Sequence, residues 1–174
     1  MKPFIGISQI WYGTPLTAEP SASGISALVK GMTEVKNSHD GTWSYEQDDP
    51  ETTEYINELT GQTYYIDRTS NGKCTINFTM GVFEFTDKAA LEGGEVIDTN
   101  GGWKSSSDLQ NINKAIVAKT KTGNFIIFPN ASIVAKGDTQ EKNIGLGVTA
   151  TAMESETDGI EAVYMFDGSK ITTA

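Results

Sequence analysis

Asp48, Asp49, Glu51 and Glu54 crowd four carboxylates into one short stretch, the densest supply of hard oxygen ligands in the chain. Calcium would suit such ligands, but its loops alternate carboxylates as D-x-D-x-D-G and this stretch does not, which favours a solvated acidic loop. His39 is the single histidine. That excludes a multi-histidine zinc site, and no G-x-S-x-G accompanies His39 to suggest a serine triad. Cys74 is the single cysteine, so no internal disulfide or C-x-x-C knuckle can form. It stands on the apolar side of an alternating run and reads as a small buried hydrophobe. Gly145-Leu146-Gly147 is a G-x-G with neither a third glycine nor a following helix, a poor phosphate cradle. Trp11, Trp43 and Trp103 could stack on a sugar, although anchoring a core or an interface is the commoner use of tryptophan. Among 23 acidic residues many pairs could hydrolyse a glycoside, yet none is marked by its neighbours. The expectation is a protein that is not an enzyme, with no catalytic residue, cofactor site or metal site.

The formal charge of −10 argues against a surface that grips nucleic acid phosphates or anionic lipid, since either requires a basic patch. No run approaches the roughly 18 apolar residues of a membrane helix. Met1 to Gly6 lacks the apolar core of an export signal, so synthesis in the cytoplasm is expected. Without export, the sequons Asn77-Phe78-Thr79 and Asn130-Ala131-Ser132 are chance matches on strand surfaces. With 174 residues, 37% hydrophobic and 21% charged, one domain with a single good core is expected across residues 1–174.

The elements that would position these groups are mostly strands. From Lys142 to Met153, Ile144, Leu146, Val148, Ala150 and Ala152 alternate with Gly145, Gly147, Thr149 and Thr151, giving one apolar face and one face of small residues that another sheet could approach closely. Asn124 to Phe128 and Ala131 to Lys136, separated by Pro129-Asn130, read as two further strands of a C-terminal meander. Phe4 to Tyr12 is a strand candidate, and Thr17 to Gly24 a loop or arm leading to Ile25 to Val29, with a further short strand around Val35. Ser38 to Glu54 has high charge and no periodicity, and reads as a long, flexible acidic loop. Tyr55 to Leu59 fits a helical turn or a strand. Gln62 to Arg68 is a strand, and Asn71-Gly72 signals a hairpin into the run Cys74 to Val82, whose phase changes at Gly81 as at a bulge. Asp87 can N-cap a short helix over Ala89 to Glu92 that ends at Gly93-Gly94. Glu95 to Ile97, a strand from Ala115, and Ile160 to Phe166 complete the pattern, the last apolar on both faces. About ten strands and one short packed α-helix indicate an all-β, mostly antiparallel sandwich or barrel.

Two stretches, Gly72 to Gly94 (GKCTINFTMGVFEFTDKAALEGG) and Lys121 to Ser155 (KTGNFIIFPNASIVAKGDTQEKNIGLGVTATAMES), resemble the tail tube, or major tail, proteins of tailed bacteriophages and the related secretion-system tube proteins. The second stretch looks like the variants found in phages and prophages of Bacteroidetes. The resemblance implies a tail-tube-like β-sandwich whose subunits form hexameric rings stacked into a hollow tube of the virion tail. Partners would be copies of itself and the tape measure, tail terminator and baseplate proteins. Genomic DNA would pass through without specific binding, helped by an acidic wall that repels phosphates. In that setting the small-residue face of Gly145, Gly147, Thr149 and Thr151, together with Val163 and Met165, are subunit-interface candidates, and Glu141, Glu154 and Glu156 are candidates for lumen charge. Two alternatives stay open: the tube of a contractile injection or type VI-like secretion system, and, from another class, a carbohydrate-binding β-sandwich module using the tryptophans.

Overall fold

The fold is all-β and mostly antiparallel, sandwich-like, with short packed helices; the computed structural model describes residues 1–171. Its main sheet contains β1 (Gln9–Gly13), β2 (Thr33–Glu34), β3 (Ser44–Gln47), β6 (Cys74–Met80), β9 (Ile112–Lys119), β10 (Phe125–Gln140), β11 (Asn143–Ala152) and β12 (Tyr164–Phe166). The strand order is β2-β1-β9-β10-β11-β6-β3, with β12 added beside β10. Two small hairpins stand off this sheet: β4 (Thr52–Ile56) with β5 (Thr63–Arg68), and β7 (Glu95–Ile97) with β8 (Gly102–Lys104). The helices are α1 (Ile25–Lys30) and α2 (Phe85–Leu91).

β10 is the strand that makes a sandwich of one sheet. Two strands were expected here, on either side of Pro129-Asn130; instead the chain runs through as one strand of 16 residues. Phe128 pairs with Ile116 and Ala131 with Lys114, so Pro129 and Asn130 together face Ala115 in a bulge. A proline, which has no N–H to give to a ladder, is tolerated in a strand at such a place. Before the bulge β10 pairs with β12, after it with β11, and with β9 on both sides. The strand thus turns a corner between two leaves. The leaves meet closely: Tyr45 of β3 and Phe128 of β10, not neighbours in the sheet, have ring centroids 6.3 Å apart.

Between the leaves lies the larger core. Period-two alternation points Ile76, Phe78 and Met80 of β6, and Leu146, Val148 and Ala150 of β11, into it, as the sequence pattern predicts. Leu91 of α2 plugs one end and is fully buried. A second cluster, on the outer face of β1, β9 and β10, contains Trp11, Val117, Phe125 and Ile127 covered by Ile25 of α1. Ile25 to Lys30 is therefore a helix where one helix in all was expected. Its six residues are too few to show a helical period.

Other expectations change in detail. Only Gln9–Gly13 of the stretch from Phe4 joins the ladder, because Gly6 breaks the extension with φ of +58°. β6 ends at Met80 without a bulge; the Asn37 side chain accepts from the N–H groups of Gly81 and Val82 and turns the chain. The helix begins after Glu84 rather than Asp87, and Asp87 instead accepts from the Glu84 N–H at 3.2 Å. Ser38 to Glu54 is not one loop: it holds β3 and the start of β4. Tyr55 is in a strand, and β12 is limited to Tyr164–Phe166.

Candidate assembly surfaces

β11 cannot be the edge at which a neighbouring sheet would add, since β10 and β6 pair with it on both sides. Its small residues have work inside the chain. A Cβ on Gly145 would lie 2.7 Å from the Met80 carbonyl oxygen, and one on Gly147 would lie 2.9 Å from the Asp138 Cβ. Thr149 donates to Asn77 at 2.8 Å, and Asn77 donates to Ser44 at 3.1 Å, stitching β11, β6 and β3 across the outer face. Beside them Asp138 accepts from Thr79 and Gln140, each at 2.8 Å. These two donors hold the Asp138 carboxyl below the usual carboxylate range, Gln140 contributing most. Thr151, half-buried, lies opposite Ser132 and Thr75. The resulting face is shallow, self-bonded and polar, with Val134, opposite Thr149, as an exposed apolar member.

The remaining candidates scatter. Val163 packs against the main core, while Met165 is 47% exposed on β12. Glu141 sits in the β10–β11 turn at φ of +48°, and Glu154 and Glu156 follow the far end of β11, all three exposed. A ten-residue strand separates them, on the order of 30 Å, so they form no single patch. Glu154 also ties down its neighbour, its carbonyl accepting from Asn130 at 2.8 Å.

What pattern reading missed is a ribbon. The β3–β6 ladder does not stop at Gln47: Asp48 donates to the Lys73 carbonyl at 2.9 Å, Thr69 to the Glu51 carbonyl at 2.8 Å, and β4 and β5 then pair from Thr52 with Arg68 outward. Asn71-Gly72, which read as a hairpin turn, is a kink in this ribbon. Gly72 has φ of +58°, and a Cβ there would lie 2.0 Å from the Asp48 carbonyl oxygen. The true turn is at Asn57 to Gln62, closed by the Asn57 N–H donating to Gln62.

Every residue of β4 is exposed, and all of β5 except Asp67. Yet the ribbon carries Tyr55 (44% exposed), Ile56, Tyr64 (69%), Tyr65 and Ile66. The register slips beside Tyr55, leaving Tyr64 as an extra residue. This bulge gathers three rings, with Tyr55 at 5.8 Å from Tyr65 and 6.4 Å from Tyr64. Exposed, clustered tyrosines are what protein interfaces are rich in, because each ring offers a large apolar area with little side-chain entropy to lose.

The tryptophans share no platform. Trp11 is buried in the outer cluster, Trp43 packs on the main core, and Trp103 lies beneath the Lys88 ammonium, 4.3 Å from the ring, with its N–H donating to the Gly93 carbonyl. His39 lies 4.0 Å from Glu141. Cys74, half-buried, accepts from Tyr45, whose hydroxyl is pushed up to about 12, by burial first and this bond second. Tyr12 donates to Asp87 at 2.6 Å and is raised by burial, then by that carboxylate, which locks β1 to α2. Among the described residues no group of three or more His, Cys, Asp or Glu side chains is placed to hold a metal ion, and no helix is long and apolar enough to cross a membrane. Searches against protein-family models and against curated proteins found no match to this chain.

Proposed function

We propose that this chain is a structural subunit that assembles with copies of itself, the tail tube protein of a phage or prophage, and that it is not an enzyme. The observation that carries this reading is the ribbon: an exposed, tyrosine-rich two-stranded extension with large apolar side chains left uncovered by the described residues of the subunit. A two-stranded ribbon is marginal by itself in water, and contiguous exposed apolar surface on a monomer marks a contact to be made. The open edge of β3 supports the same reading, since it offers unpaired backbone groups to another strand.

In such a tube the self-bonded outer face of β10, β11 and β6 suits a wall along which DNA moves. Its polar side chains are already hydrogen-bonded to one another, and the subunit's charge of −10 repels phosphates instead of collecting them. A tube of a contractile injection system is physically the same object, and neighbouring terminase, portal and tape measure genes would identify the phage version. The test is direct: negative-stain electron microscopy and sedimentation of the purified chain from micromolar to millimolar concentration. Rings or tubes are expected. Only dispersed monomers over that range would sink the proposal.

A further inference from the structure

A cleft of about 510 Å³ lies on the outer face of the β1–β9–β10 leaf, against α1. Its floor is apolar: the Trp11 and Phe125 rings stack at 6.4 Å, with Ile25, Val29 and Ile171 around them. Lys30 and Lys119 stand at its rim, the latter 5.6 Å from the Phe125 ring; none of the described residues that line it is acidic, and Glu34 lies behind Gln9, from whose side chain it accepts at 3.0 Å. In a chain with 23 acidic and 13 basic residues, an apolar cleft whose described lining carries two lysines and no carboxylate is a local exception. The ribbon is its complement. It presents the three tyrosine rings with Asp67 on the same face, paired with Thr53 next to the Tyr55–Tyr65 pair, and Glu58 in its turn, and Arg68 is the lone cation between Asp48 and Asn71.

We propose that the ribbon of one copy seats its tyrosine face in this cleft of a neighbouring copy, Lys30 and Lys119 meeting the ribbon's carboxylates. This rests on the self-assembly reading and specifies its contact. The ribbon grows from the β3 and β6 end of the strand order, whereas the cleft sits on β1, β9 and the start of β10, with β11 and the rest of β10 between. Donor and receptor are therefore different surfaces. A contact of that kind is heterologous and propagates, closing into a ring or continuing as a filament instead of stopping at a dimer. The occupant matches in chemistry too, since aromatic rings packed on an apolar floor within a charged rim are the usual anatomy of a protein–protein hot spot.

The test uses charge exchange on the full chain. A cleft variant, Lys30→Glu with Lys119→Glu, and a ribbon variant, Glu58→Lys with Asp67→Lys, are each expected to raise the self-association constant for dissociation at least ten-fold by sedimentation. Mixed one to one they should assemble again, because the basic ribbon of one fits the acidic cleft of the other. Lys30→Glu alone, on an exposed helix end, guards against a folding defect at the half-buried Lys119, and should weaken association in the same direction. A photo-crosslinker at Tyr65 should label the cleft peptides of another copy. Assembly lost with the ribbon variant but normal with the cleft variant, or crosslinks mapping elsewhere, overturns this seat while leaving self-assembly standing. A wild-type chain that never self-associates overturns both.

Discussion

The core between the leaves and the projecting ribbon are built from the same kinds of residue and treat them in opposite ways. Phe128 and Phe78 are at most 1% exposed, while Tyr64 and Ile66 stand 69% and 56% exposed. In the core each large side chain is opposed by another strand or by α2, and the burial of its apolar area supplies folding free energy. In the ribbon the same area faces water and supplies none until another molecule covers it. One region spends its hydrophobic surface on folding and the other keeps it for association.

That contrast breaks most visibly at Phe128. Phe128→Ala is expected to cost about 3–5 kcal/mol, a transfer loss plus an incompletely collapsed cavity, read from urea denaturation. With total stabilities of roughly 5–15 kcal/mol, the variant should be close to unfolding at 37 °C. Were it to cost less than about 1 kcal/mol, Phe128 would not be the contact between leaves that its fit against Tyr45 indicates.

Gly72→Ala comes next, and it sharpens the comparison by acting on the join between the two regions. The added methyl must either move the Asp48 carbonyl or swing the ribbon, at a φ that disfavours any β-carbon. A loss of about 1–3 kcal/mol is expected, with amide exchange accelerated in β4 and β5 but not in β11. Equal acceleration in both would mean that ribbon and core open as one unit.

These positions also explain which parts of the molecule could be read from the chain. β6 and β11 were legible because alternation with one apolar face has a single physical solution, and their inward residues are where the pattern puts them. Pro129-Asn130 misled because proline and asparagine punctuate turns and bulges alike, and only the partner strand distinguishes them. β3 was lost within an acidic loop because edge strands are short and charged, here Ser-Tyr-Glu-Gln. Gln62 to Arg68 was legible as a strand but its exposure was not. Apolar residues on both faces describe a strand covered twice as well as one covered by nothing. The small residues of β11 suggested a mating surface, whereas Gly145 and Gly147 are small to let Met80 and Asp138 approach from within.

A smaller effect on stability, and a larger one on assembly, is expected from the ribbon's rings. Tyr55→Ser combined with Tyr65→Ser should change the unfolding free energy by no more than about 0.5 kcal/mol, because both rings are exposed in the subunit. The same double variant should abolish ring or tube formation. Stability lost on the scale of Phe128→Ala would place the ribbon in the subunit's own core, and the comparison would fail.

The smallest effect belongs to the polar outer face, and its sign can be worked out. Gln140 and Thr79 donate to the Asp138 carboxylate and hold its ionisation below the usual carboxylate range, while Asp138 itself is half-buried at the outer face. A group held below its unfolded value stabilises the fold at every pH above that value, and the contribution disappears as pH falls through the folded one. Asp138→Asn removes the charge at all pH. The stability gap between wild type and variant should therefore be constant from neutrality down to about pH 4 and should close below it. Solvent screening keeps the gap small, so it is best measured by paired denaturation curves at low salt. A gap that persists unchanged at pH 2 would mean that the shape of the side chain, and not its charge, joins β10 to β6. The outer face would then resemble the core in its mechanism, held by fit, and would lose its distinction as a surface organised by hydrogen-bonded charge.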